Sequence, residues 1–179
     1  MRRLWLGLLL CACSGSSDNE VDGSVLGNSL SARDALFFQH AGRQLVVISD
    51  QDDTCRKLTR GTVSGELHLL ELYLWDATAP GPTTLTEGTY VAGDSSASLE
   101  SEVYLSVGRS CTAGTTRFRA STGQVILIHS GANEPGERTQ VAFRLNFGND
   151  LLAGHADAVY CPLPATGPIG CIDEPEPSP

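Results

Sequence analysis

Asp50-Gln51-Asp52-Asp53 is a dense carboxylate cluster, with three acids in four residues. Acids at this spacing are raw material for a calcium site, since that ion takes roughly six to eight oxygen ligands from flexible loops. An EF-hand fails on spacing: with Asp50 as the first ligand, Cys55 stands where glycine is required and Gly61 where the bidentate glutamate belongs. Asp50, Asp52 and Asp53 are therefore calcium candidates only for a loop of another kind. The preferred reading is a helix cap with solvated acids on a loop beside a disulfide. Four histidines, His40, His68, His129 and His155, fall on or at the ends of separate apolar runs, with no His-Glu-x-x-His or His-x-His spacing. They read as surface or half-buried strand residues, and no metal is assigned.

Nucleophilic chemistry is equally thinly signalled. The segment Gly108-Arg109-Ser110-Cys111-Thr112 approaches the Gly-x-Ser-x-Gly elbow, but threonine replaces the closing glycine. Glu66 with Glu71, or Glu100 with Glu102, could be imagined as a glycosidase pair. Glu100 and Glu102 share one strand face, which fits a solvated surface better than the separated acid and nucleophile that glycoside cleavage requires. Phosphate-cradling glycine loops and dinucleotide fingerprints are absent, so no cofactor is expected. No catalytic residue is assigned, and the expectation is a non-enzyme. The alternatives are an envelope hydrolase whose site is assembled in space and a calcium-dependent adhesion or sugar-binding module around Asp50 to Asp53.

Besides Cys11 and Cys13 the chain has Cys55, Cys111, Cys161 and Cys171, an even number that reads as two disulfides if the protein is exported. Three pairings are open. Cys161 and Cys171 enclose a short Pro- and Gly-rich loop, and joining them leaves Cys55 with Cys111; this pairing is favoured, although Cys161 ends a strand-like run and could equally reach across a sheet to Cys55. A zinc site lacks any Cys-x-x-Cys pair.

Export is written in the first residues. Arg2 and Arg3 precede the apolar run Leu4 to Leu10, and Leu10-Cys11-Ala12-Cys13 follows. A run of seven residues is about 10 Å long as a helix and cannot cross a hydrocarbon core of roughly 30 Å. The segment is a processed signal. It resembles a bacterial lipoprotein signal peptide, with Ala12 last removed and Cys13 the lipid-bearing first residue; Cys11, preceded by bulky Leu10, is the weaker candidate. The resemblance implies membrane attachment through the N-terminal lipid. Ser14, where aspartate would signal inner-membrane retention, points to the outer membrane.

Removing residues 1–12 takes two arginines from 12 basic residues and none of the 21 acids, so the charge moves from −9 to −11. Such a body repels phosphate backbones, which excludes nucleic acid as a partner and leaves an envelope protein or glycan.

Between the polar segment after Cys13 and the tail Asp173 to Pro179, hydrophobicity alternates with period two. Val141, Phe143, Leu145 and Phe147 alternate with Gln140, Ala142, Arg144 and Asn146, and Val103, Leu105 and Val107 behave likewise. Leu67 to Trp75 is apolar on both faces and should be a central, covered strand. Further strands are expected at 35–40, 43–49, 89–92, 115–119, 123–129 and 155–161, with a hairpin joining 125–129 to 141–147. One short helix, capped by Asp52 or Asp53, should run through Thr54 to Leu58. The organisation is therefore a signal at 1–12, a tether at 13–30, one domain at 31–165 and a Pro/Glu-rich tail at 166–179. The expected fold is an all-β antiparallel sandwich, of jelly-roll or immunoglobulin-like kind, with at most one short helix. Its sheet edges would offer sites for partner-strand addition.

The segments Leu45 to Asp50, Ser121 to Ile128, Val141 to Phe147 and Gly154 to Cys161, the last reading Gly-x-x-x-Ala-x-x-Cys, resemble small predicted bacterial lipoproteins with an all-β body. The likeness spans roughly residues 30–162 and implies a fold and a location; it assigns no functional residue.

Overall fold

Ten strands account for most of the chain's described length. In the computed structural model residues 19–62, 64–78, 85–110, 115–164 and 172 are described, with backbone alone at 64, 109 and 110. The strands are β1 (Glu20–Gly23), β2 (Asp34–His40), β3 (Arg43–Ser49), β4 (Ser64–Asp76), β5 (Gly88–Ala92), β6 (Leu99–Ser110), β7 (Thr116–Arg119), β8 (Thr122–His129), β9 (Arg138–Phe147) and β10 (Asp150–Tyr160). Among the described residues a single helix, α1 (Thr54–Arg60), interrupts them between β3 and β4. Cys13, Cys111, Cys171 and the tail 166–171 and 173–179 lie outside the described residues.

The architecture corrects the expected sandwich: the sheet closes into an eight-stranded barrel. Its order is β10-β2-β3-β4-β6-β5-β8-β9, and β9 returns to β10 through the long antiparallel ladder from Asp150↔Phe147 to Val159↔Arg138. Two joints are parallel, β10 with β2 at Val159↔Leu36 and Tyr160↔Phe37, and β5 with β6 at Val91↔Glu100 and Ala92↔Ser101. Period-two alternation reports that a strand has an inside and an outside. It is silent on whether the inside faces a second sheet or the far wall of the same one.

The inward residues form one core. Phe37, Val46, Ile48, Leu70, Leu72, Tyr90, Val125, Phe143 and Leu145 belong to it and are essentially inaccessible. Eight strands enclose a space just wide enough for side chains to fill. Outward residues of β2, β3 and β4 make a second cluster, with Leu36, Phe38, Leu45, Val47, Leu69 and Tyr73 packed against Leu58 of α1, Cys161 and Ile172. This explains the apolarity of β4 on both faces: its outer side is roofed by a helix and the chain after β10.

Helix α1 forms where expected but is anchored differently. Asp53 sits at the N-cap with φ 57° and makes no side-chain cap bond; instead the Thr54 N–H donates to Asp34 Oδ2 of β2 at 2.7 Å. At the other end Gly61, with φ 62°, supplies the left-handed C-cap, and Lys57 and Arg60 face the negative end of the helix dipole. Cys55 of α1 is joined to Cys161 just beyond β10, with Cα atoms 5.7 Å apart. The favoured pairing Cys161–Cys171 with Cys55–Cys111 is thereby corrected. The helix on the roof brings Cys55 to the strand end, whereas proximity in sequence had argued for the short loop.

Two long strands share one of their edges between two partners. β10 pairs with β1 at residues 152–155 and with β2 at 159–160; β6 pairs with β5 at 100–101 and with β7 at 104–107. β1 lies inside the span read as a tether, and Val25 and Leu30 of that span are buried in the core. Gly154 permits the contact, since a Cβ there would run into the Glu20 carbonyl oxygen.

Candidate functional site

The outer wall where β3, β4, β6 and β7 meet carries the densest arrangement of charge. Alternation turns Glu71 and Tyr73 of β4 outward, as it does Glu102 and Tyr104 of β6. The antiparallel register then sets Glu71 opposite Tyr104 and Tyr73 opposite Glu102. Each carboxylate accepts from the tyrosine two residues on: Tyr73 OH donates to Glu71 Oε2 at 3.1 Å, and Tyr104 OH to Glu102 Oε1 at 2.9 Å. Ser106 Oγ donates to Glu71 Oε1, and Arg117 Nη2 lies 2.8 Å from Oε2. Glu102 is held by Arg43 at 2.9 Å and Arg119 at 2.7 Å. Arg117 also stacks over Tyr104 at 3.9 Å, and Arg43 over Trp75 at 4.1 Å.

Burial decides the electrostatics of this wall. Glu71 is 0% and Glu102 4% exposed. Desolvation pushes the Glu71 carboxyl above the usual carboxylate range, opposed by the Arg117 charge and the bonds from Ser106 and Tyr73. The same burial, with a neighbouring carboxylate, raises the Tyr104 hydroxyl to about 12 and the Tyr73 hydroxyl further. With three guanidinium groups and three hydroxyl donors committed to two carboxylates, the arrangement is a closed network that fixes side chains. Glu71 has no accessible surface from which to transfer a proton to a substrate.

Beside the network lies an open cleft of about 310 Å³ at the fork between β5 and β7, lined by Trp75, Asp94, Ser95, Glu100, Ser101 and Arg119, with Val91 and Gly93. Arg119 belongs to both: one end of its guanidinium holds Glu102 while 63% of the side chain remains exposed. Asp94 is held below the usual carboxylate range by bonds from Ser96 Oγ and Ser96 N–H. Glu100, directly across the ladder from Trp75, has no hydrogen-bond or ion-pair partner among the described residues. Ser101 is 4% exposed and its Oγ also lacks a partner, but alternation turns it inward, level with the core residues Leu74 and Ala92.

The residues singled out in the sequence are dispersed. Asp50 accepts from the His68 N–H at 3.0 Å and pairs with His68 Nδ1 at 3.3 Å, leaving Nε2 buried without a partner. Asp52 lies 3.8 Å from Arg33, and Asp53 pairs with Arg56, so the three acids turn to three separate partners. Among the described residues no three His, Cys, Asp or Glu side chains gather as a metal would require. His40 is fully buried with neither nitrogen paired, His129 lies 3.4 Å from Glu87, and His155 is exposed at the opposite wall. Ser110 is described by its backbone only and Cys111 lies outside the described residues.

Of the imagined glutamate pairs neither is the one that forms. Glu71 and Glu102 come together, and Glu102 is buried, not solvated. A signal for this existed in the sequence: Glu71-Leu72-Tyr73-Leu74 and Glu102-Val103-Tyr104-Leu105 repeat the pattern Glu-x-Tyr-Leu, and Arg117-Phe118-Arg119 places two cations at strand spacing.

Among the described residues no helix is long and apolar enough to cross a membrane. Compared with protein-family models, with curated proteins and with solved structures, the chain matches none.

Proposed function

We propose that the chain is the precursor of a bacterial envelope lipoprotein, cleaved before Cys13, held on the outer membrane by the lipid on that residue, and serving a non-catalytic binding role. The leader Met1 to Cys13 supports the anchoring. The binding role rests on one observation. On the outer wall the buried carboxylates Glu71 and Glu102 are saturated by arginine, tyrosine and serine donors, while in the adjoining cleft Glu100 has no hydrogen-bond or ion-pair partner among the described residues. Groups that are already satisfied rigidify, and groups that are not are available to a ligand. The filled barrel interior directs binding to the outside.

Metabolic labelling with radioactive palmitate, with mass spectrometry of the mature N-terminal peptide, tests the anchoring. Label and a diacyl or triacyl mass on Cys13 are expected, both lost in Cys13→Ser. An unmodified mature N-terminus in a soluble fraction would overturn it. A photo-crosslinking residue at Ser95 in the native envelope tests the binding role, which predicts capture of an envelope component there and none from a control position on β9.

A further inference from the structure

We infer that the cleft at the β5–β7 fork is a subsite for a neutral saccharide of one or two rings, an assignment that rests on the binding role above and names its ligand. Four features of the wall converge on it. Arg43 stacks on Trp75 and is itself fixed by Glu102, so the indole that lines the cleft is held rigidly. A rigid aromatic with an apolar body suits the C–H face of a sugar ring. Arg119, clamped by Glu102, presents its remaining N–H groups as donors, while Glu100 and Ser95 supply acceptors within the same cleft.

The unmet polar demand is the second feature of weight. Glu100, half-buried, has no hydrogen-bond or ion-pair partner among the described residues, and a ligand hydroxyl can donate to it. Charge narrows the class further. Asp94 and Glu100 oppose an anionic ligand, as does the acidic body, while Arg119 and Arg43 oppose a cationic one. A neutral polyol escapes both. The volume of about 310 Å³ lies at the small end of ligand pockets, which sets the one- or two-ring limit.

The chain has two tryptophans, Trp5 in the leader and Trp75, so the mature lipoprotein carries a single tryptophan, which lines the site and is excited selectively at 295 nm or above. Titrating the mature acylated protein, in a zwitterionic detergent free of sugar, with cellobiose and with N,N′-diacetylchitobiose should give a saturable fluorescence change with at least one of them. Glu100→Gln should weaken binding about tenfold, as expected for a charged hydrogen bond, with the melting temperature unchanged. Trp75→Phe, read by calorimetry, should weaken it as well.

The inference is overturned if neither disaccharide produces a saturable change, or if Glu100→Gln binds as tightly as the parent. Spermidine binding in their place would overturn the neutral class. Capture of an envelope protein at Ser95 alongside a null sugar titration would leave the binding role standing and remove the saccharide. Slow cleavage of a bound disaccharide would keep the subsite and remove the non-catalytic reading. Failure of both titration and crosslinking removes both.

Discussion

Replacing Cys55 and Cys161 together by alanine removes the covalent link between the roof helix and the end of β10 without leaving a lone thiol. The two cysteines are 106 residues apart, so the bridge closes most of the folded body into one loop. In the chain-entropy treatment a loop of about 100 residues confers about 4.7 kcal/mol, and removal of native bridges commonly costs about 2–5 kcal/mol. The native cost is at the upper part of that range here, because Cys161 is fully buried in the outer cluster with Leu36, Leu45 and Leu58, and truncation there also loses packing. Equilibrium urea unfolding should therefore show a loss of about 3–5 kcal/mol; with a slope of roughly 2 kcal/mol/M the midpoint falls by about 2 M. A loss below about 1 kcal/mol would refute the reasoning, as would a non-reducing peptide map in which Cys55 is joined to Cys111 or Cys171.

Glu71→Ala should cost about 3–5 kcal/mol in the same assay, because it strands the partly buried Arg117 without its counter-ion, whereas Glu71→Leu with Arg117→Leu should recover much of the loss; an unchanged midpoint in the single variant counts against a structural network. Burial raises the Tyr90 and Tyr104 hydroxyls to about 12 and the Tyr73 hydroxyl beyond. Folded values above the unfolded value near 10 mean that the neutral forms favour the fold, so this stabilisation is complete below pH 10 and is lost as pH rises through about 12. Phenolate absorbance should accordingly show these three tyrosines titrating late and together with unfolding, and full ionisation of all tyrosines near pH 10 with the fold intact would contradict it. Gly154→Ala should detach β1, seen as faster amide exchange at residues 20–23, and also displace the Phe143 ring of β9; unchanged protection at 20–23 would show the backbone contact to be dispensable.

Strand positions were legible because each strand buries one face, and Val141, Phe143, Leu145 and Phe147 announce theirs without ambiguity. Closure was illegible for a specific reason: it is decided by pairings such as Val159↔Leu36 and Tyr90↔Val125, between segments far apart in sequence, and no local pattern records which edge a strand end will meet. β1 was missed because four residues with one half-buried position carry almost no periodicity. On the wall, Glu102 of β6 read as solvated because an acid on an outward face usually is. What reverses that here is the neighbouring β7, whose Arg117 and Arg119 arrive only through the fold. The loop acids 50–53 drew attention through density alone, and the backbone turned each toward a different partner.

Sharing one edge of β6 and one of β10 between two partners has a further consequence. Among the described residues the strands left with an unpaired side are β1 and β7, each four residues long. A long bare edge is a template on which a neighbouring molecule can polymerise, and segments this short offer little purchase for it. The forked strands thus leave cross-β growth only short edges from which to start.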